Sequence, residues 1–335
     1  MSDTPCKRDG VGIVGAGRWG TTLAHFAAKG GAPVRLYTET EKHAKAINRA
    51  HRNKSHLPEL ERLHDGVTAT HLIEELTSTC HLLIIAERAS KLRPVMRLLG
   101  DTVDGAHVLV HAVRGLEPET LKAPSQVIAE ETCARKIGAL IGPALVDELI
   151  AGRPNAAVVG SRYPGVIRAV QEALAGPQLR IYGNRDLIGV ETAGAAASVM
   201  ALALGICLEL NLGPASVAVL MTRGTAEIAR LCKAVGGDER TAFGLAGLGG
   251  LLVEREAESR DVRAGRLLGQ ARGPAEIEAA LGTVDAIEEV RKFHQLVVTR
   301  RIEAHFTRAV YALLEGGIAP AKAVQRLMEL EQMGE

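Results

Sequence analysis

The hexapeptide GAGRWG at residues 15–20 has the spacing G-x-G-x-x-G, preceded by the apolar run VGIVG and followed by a helical stretch. In that setting each glycine meets a physical need. Gly15 permits a tight turn out of a strand, Gly17 lets backbone approach a pyrophosphate, and Gly20 lets the helix press on the sheet. The start of the helix adds free N–H groups and the positive end of its dipole. Gly15, Ala16, Gly17, Arg18, Trp19 and Gly20 are therefore candidate cofactor residues. Glu39 lies about twenty residues beyond the loop, where a carboxylate accepts from the adenosine ribose and repels a 2′-phosphate. That favours NAD as cofactor, while Arg35 nearby leaves NADP possible.

Other residue groupings carry less chemistry. Histidines crowd the first third (His43, His51, His56, His64, His71, His81), but their spacing fits no ligand pattern, so no metal site is expected. His107 and His111 share one face of a strand, which burial in a parallel sheet explains. Arg223 and Glu227 stand at i, i+4, the spacing of a helical ion pair. The five cysteines are scattered, odd in number and without a C-x-x-C pair. That pattern suits reduced, buried thiols in a cytoplasmic protein, and Cys207 reads as core.

These residues need elements to hold them. Apolar runs predict strands at 11–15, 33–39, 80–87, 106–113, 137–142, 155–161 and 179–184, with helices between them, including 19–29, 42–51 and 90–99. Strand alternating with helix implies an α/β fold with a mostly parallel sheet covered on both faces. From about residue 187 the periodicity is helical throughout. The expected domains are 1–186, binding a dinucleotide, and an all-helical 187–335, holding substrate and a dimer contact. A formal charge of +1 argues against nucleic acid. The polar start MSDTPCKRDG shows no signal peptide. Thr192–Leu208 lacks charges, but a run of seventeen residues rich in alanine and glycine reads as a core helix rather than a membrane span.

Several segments together resemble the NAD(P)-dependent glycerol-3-phosphate dehydrogenases of bacterial type. GAGRWGTTLA is similar to that family's GAGSWGTALA, and INRAHRNKSHLP (47–58) to its IN-x-x-H-x-N-x-x-YLP loop, with His56 in place of the tyrosine. RGLEPET (114–120) resembles KGLEPET, and IGPALVDEL (141–149) the SGPSFA-x-EV turn. LRIYGNRDLIGVE (179–191) is close to FRVYTNTDVIGVE. MTRGTAEIARL (221–231) and GLAGLGGL (244–251) resemble TRG-x-x-EM-x-R and GLAGLGDL. The likeness runs in order along nearly the whole chain. It implies a Rossmann-type, doubly wound domain, an all-helical second domain, and hydride exchange between a nicotinamide and the pair dihydroxyacetone phosphate and sn-glycerol 3-phosphate. It also implies a homodimer. On the cofactor side it adds Arg260, from an SRN-like motif, and Asp285; on the substrate side it gives Arg114, Gly142 and Arg260.

The likeness breaks where the family does its chemistry. The catalytic lysine of its GALKNV motif aligns with Ala197, within the small-residue run GVETAGAAASV (189–199), and the asparagine with Ser198. A methyl group neither donates a proton nor steadies an oxyanion. The aspartate of GLGDL is Gly250, a threonine just beyond is Glu254, the second lysine is Arg114, and the asparagine of SRN is Asp261. Arg114 and Glu191 remain as candidate catalytic groups. Arg114 binds anions well but shuttles protons poorly. Glu191 is a candidate base, or a carboxylate capping the start of its helix. Two expectations follow: a dehydrogenase of this family with altered chemistry, or a catalytically silent dinucleotide-binding pseudoenzyme with a regulatory or assembly role.

Overall fold

The computed structural model describes residues 9–256 and 258–329. Eight strands form one sheet: β1 (Gly10–Val14), β2 (Val34–Tyr37), β3 (Val67–Thr70), β4 (Cys80–Ile85), β5 (Val108–His111), β6 (Lys136–Ile141), β7 (Asn155–Gly160) and β8 (Leu179–Asn184). Their order is β3-β2-β1-β4-β5-β6-β7-β8. Every neighbouring pair is parallel except β6 and β7. The first six strands have the order of a dinucleotide-binding sheet, so the expected α/β class holds.

The runs read from sequence are strands because both faces of the sheet are covered, which lets apolar side chains follow one another without alternation. Ile13, Leu83, Ile84, Ile85 and Val110 are completely buried. β3 escaped the sequence reading. Its four residues, VTAT, include two threonines, with Thr68 exposed at the sheet edge, so no apolar run marks it.

Helices α1 (Arg18–Lys29), α2 (Glu41–Ala50), α3 (Ile73–Thr79), α4 (Ala89–Gly100), α5 (Pro124–Glu131), α6 (Val146–Ile150) and α7 (Pro164–Leu174) connect the strands. Among the described residues from α8 (Leu187–Glu209) onward there are helices and no strands: α9 (Gly213–Ala234), α10 (Gly250–Glu256), α11 (Arg260–Gly269), α12 (Pro274–Leu281), α13 (Asp285–Arg300), α14 (His305–Leu314) and α15 (Pro320–Met328). A 3₁₀ turn at Glu239–Phe243 and a π-helical turn at Leu245–Gly249 join α9 to α10. The chain divides into two compact units. One runs up to Glu117 and includes Lys122–Leu187; the other takes Pro118–Leu121 and the chain from Ile188.

α8 is long and apolar enough to cross a membrane, yet 94% of its most apolar window is buried in the protein. It is the core helix of the second unit. Its small residues allow α11 to cross at backbone contact. A Cβ on Gly205 would collide with the Val262 carbonyl and stand 2.7 Å from the Gly265 Cα, and a Cβ on Gly265 would collide with the Leu202 carbonyl.

The thiols are less uniformly buried than expected. Cys80 and Cys232 are buried and Cys207 is intermediate, but Cys133 is exposed. It sits beyond the last turn of α5, where its thiol donates to the Val103 carbonyl at 3.3 Å. Cys6 lies outside the described residues.

Candidate functional site

The glycine loop leaves β1 at Gly15, whose φ of 109° is a conformation that side-chain-bearing residues rarely adopt. A Cβ there would lie 2.7 Å from both the Ala86 carbonyl and Glu87 Oε1. At Gly20 a Cβ would collide with the Gly15 carbonyl, which holds α1 against the loop. Gly17 is different: a Cβ there would meet nothing within 4 Å. Gly17 is also the N-cap of α1 and provides no side-chain cap. A helix start with uncapped N–H groups beside open space fits a dinucleotide pyrophosphate. Ala16 is buried, Trp19 packs half-buried against the core, and Arg18 marks the first turn.

Further groups hold this loop, and the sequence did not single them out for that role. Asn53 is 2% exposed, and its side-chain amide donates to the Ala16 carbonyl and to Thr21 Oγ1, both at 2.8 Å. Its Oδ1 faces His43 Nε2 at 3.2 Å, and His43 Nδ1 faces Thr38 Oγ1 at 2.8 Å. Because Oδ1 only accepts, Nε2 carries the proton, which leaves Nδ1 of a neutral ring to accept from Thr38. The chain after β2, α2, the 51–63 loop and the glycine loop are thus joined by one hydrogen-bonded relay. His56 lies beside it, its ring 5.6 Å from that of His43, and burial followed by His43 lowers its pKa. Arg18 pairs with Glu59 at 2.8 Å and with Asp147. The IN-x-x-H-x-N pattern was the only sequence signal for Asn53, since the groups its amide donates to lie more than thirty residues away.

Glu39, the residue expected to meet the ribose, stands two residues past β2, well exposed, and its Oε1 accepts from Lys91 Nζ at 2.7 Å. Lys91 belongs to the first turn of α4. Arg35, the cation weighed from sequence, lies inside β2 and acts on Cys80 at the start of β4, so the cation paired with Glu39 is Lys91. Glu87, next to Gly15, is half-buried; burial pushes its carboxyl above the usual range, against the pull of Lys91.

Arg114 is exposed, three residues beyond β5. Glu117 is 5% exposed and takes a two-pronged bond from Arg93, at 2.6 and 2.7 Å. Arg93 also reaches Glu130 at 3.0 Å and Glu131, and these carboxylates hold its pKa above the usual range. Gly142 follows β6 directly, with φ 140°.

In the second unit, Glu191 lies in the second turn of α8 and is 3% exposed, so it does not occupy the start of the helix as the capping reading required. Ala197 and Ser198, at 3% and 2% exposed, are also buried. Glu227 does not face Arg223. It is fully buried and accepts from the Phe306 and Thr307 backbone N–H groups, both at 2.9 Å, and from Thr307 Oγ1 at 2.6 Å, which caps α14. Burial still raises its pKa, with the Thr307 and Phe306 bonds opposing. Arg223 is exposed. Ser259 caps α11 by accepting from the Val262 N–H at 3.2 Å. Arg260 and Asp261 therefore sit in that helix's first turn, where the dipole favours the Asp261 carboxylate. Arg260 donates to the Thr283 carbonyl at 3.3 Å, two residues before Asp285 opens α13.

Comparison with known proteins gives the same outline. Residues 10–166 match the family model for the NAD-dependent glycerol-3-phosphate dehydrogenase N-terminus, and residues 186–325 the model for its C-terminus. The glycerol-3-phosphate dehydrogenase [NAD(P)+] of Halalkalibacterium halodurans is 35% identical over 95% of this chain and 93% of its own. The chain belongs to the NAD(P)-dependent glycerol-3-phosphate dehydrogenase family. A relative of the same name from Symbiobacterium thermophilum is 37% identical, with the same coverage of both chains. Among solved structures, glycerol-3-phosphate dehydrogenase from Coxiella burnetii superposes with a TM-score of 0.88 at 29% identity, covering 96% of this chain and 99% of that one.

Proposed function

We propose that this member of the family binds NAD(H), and NADP(H) as well, and exchanges a hydride with a small phosphorylated ketone or alcohol of the dihydroxyacetone phosphate and sn-glycerol 3-phosphate type. The observation that carries the reading is the uncapped start of α1 beside the open face of Gly17. Gly15 to Gly20 hold the pyrophosphate, Glu39 the adenosine ribose, and Arg260 and Asp285 complete the cofactor side. The bound nicotinamide supplies or accepts the hydride. On the family likeness, Arg114, Gly142 and Arg260 are the residues that serve the substrate's anionic group. Arg114 also polarises the carbonyl, and Glu191 is the candidate proton carrier. Residues 1–186 form the nucleotide domain, and residues 187–335 the substrate and dimer domain of a cytoplasmic homodimer.

Ala197 favours a second reading, a catalytically silent nucleotide binder, because a buried methyl stands where the family keeps its proton-donating lysine. Titration with NADH followed by its nicotinamide fluorescence, then an assay of dihydroxyacetone phosphate reduction, separates the two. Binding with turnover supports the dehydrogenase; binding without turnover on any phosphorylated ketone leaves the silent binder. Absence of NADH binding refutes both.

A further inference from the structure

The pairing of Glu39 with Lys91 bears on which nucleotide the site accepts. A lone carboxylate beside the adenosine ribose rejects a 2′-phosphate by charge repulsion. Here that carboxylate is not alone: Lys91 Nζ stands 2.7 Å from Glu39 Oε1. The two side chains, 53% and 58% exposed, come from different elements, the first turn of α4 and the chain just past β2. An exposed pair of this kind contributes little and re-forms readily. We infer that Lys91 is a specificity-determining residue, which leaves Glu39 for an incoming 2′-phosphate and so admits NADP(H) to a site that Glu39 alone would reserve for NAD(H). This inference rests on the nucleotide-binding reading above.

The surroundings support the exchange. Glu39, Glu87 and Arg88 act electrostatically on Lys91 across this corner, and Glu39, Glu87 and Glu74 act on Tyr37. Around Lys91 the carboxylates Glu39 and Glu87 are matched by Lys91 itself and Arg88, while Glu74 is a further carboxylate that acts on Tyr37. Arg88 is exposed at the N-cap of α4, next to the pair. A phosphate of nearly two negative charges attracts the ammonium more strongly than a single carboxylate does. Once Lys91 turns to the phosphate, Glu39 is left among water molecules, because more than half of its side chain is exposed.

The test uses adenosine nucleotides alone, so that its readout is binding and not turnover. The full-length protein and the variants Lys91→Met and Glu39→Gln are titrated by calorimetry with 5′-ADP and 2′,5′-ADP. Lys91→Met keeps the length of the stem and removes its charge. Wild type is expected to bind the two nucleotides within about tenfold of each other. Loss of one charge-assisted bond then weakens 2′,5′-ADP by about ten- to a hundredfold in Lys91→Met, with 5′-ADP changed less than about threefold. Glu39→Gln shifts the preference the other way. Raising the salt concentration narrows the Lys91 effect, since exposed charges are screened. Equal weakening of both nucleotides in Lys91→Met, no change in either, or rejection of 2′,5′-ADP by wild type that binds 5′-ADP overturns the inference. Failure of wild type to bind 5′-ADP and NADH refutes the nucleotide-binding reading itself.

Discussion

Asn53 offers the sharpest test of how the glycine loop is held. Asn53→Ala removes two donated bonds of 2.8 Å, to the Ala16 carbonyl and Thr21 Oγ1, and leaves His43 Nε2 without its acceptor at 3.2 Å. The site is buried, so water does not simply replace them, although the Ala16 carbonyl keeps a weaker bond from Thr21 Oγ1 at 3.3 Å. Counting about 1 kcal/mol for each lost bond, with part of the desolvation penalty for His43, the expected destabilisation is about 2–3 kcal/mol. Urea unfolding followed by Trp19 fluorescence measures it, and an NADH titration on the same samples should show binding weakened by about tenfold, since each 1.4 kcal/mol of lost loop preorganisation is a factor of ten. Asn53→Asp is the stricter perturbation. It keeps the shape but replaces the amide donor with a carboxylate oxygen that faces the Ala16 carbonyl, so near neutral pH it should be worse than alanine. As pH falls and the new carboxyl protonates, its O–H again donates and the deficit should shrink. An Asn53→Asp protein as stable as wild type, or an alanine variant that is destabilised but binds NADH unchanged, would refute the relay as the support of the loop.

Four further expectations bear on other parts of the chain. Gly205→Ala should destabilise the helical unit by about 2–4 kcal/mol despite alanine's better helix propensity, because backbone on α11 cannot yield as a flexible side chain does; thermal unfolding checks this, and a gain in stability contradicts the close crossing. Glu227 has a raised pKa, so the stability of wild type should fall as pH climbs from the ordinary carboxylate range through that raised value, a slope that Glu227→Gln should lack in urea midpoints measured against pH. Glu87 has a raised pKa beside Gly15, so NADH affinity should decline as pH rises and its carboxyl ionises near the phosphates; Glu87→Gln should flatten that decline, and parallel pH profiles would rule the residue out. Ala197→Lys should bring measurable dihydroxyacetone phosphate reduction above the wild-type level, monitored by NADH oxidation. No gain in a folded, NADH-binding variant would mean that Gly250 and Asp261 matter as much as the missing amine.

What could be read along the chain was what depends on neighbours in sequence. The glycine loop is legible because turn, close approach and helix start fall within six residues, and the buried strands are legible because parallel sheets tolerate uninterrupted apolar runs. The supports of the site were not. Lys91 meets Glu39 across 52 residues and Asn53 meets Ala16 across 37, and no local pattern encodes such pairings. Spacing even misled at Glu227: the i, i+4 rule offered Arg223, but a buried carboxylate is better served by three fixed donors at the start of α14 than by a solvated guanidinium. The run GVETAGAAASV posed the harder question, whether its small residues are scaffold or a site with a group removed. The structure separates two demands on the same helix. Backbone contact with α11 occurs at Leu202 and Gly205, five and eight residues beyond Ala197, or about 8 and 12 Å along the axis at 1.5 Å per residue. Close crossing therefore requires glycine at 205, beyond the run 189–199. At Ala197, which is 3% exposed, the family likeness expects a proton-donating lysine, and the Ala197→Lys assay decides whether the methyl there alters the chemistry.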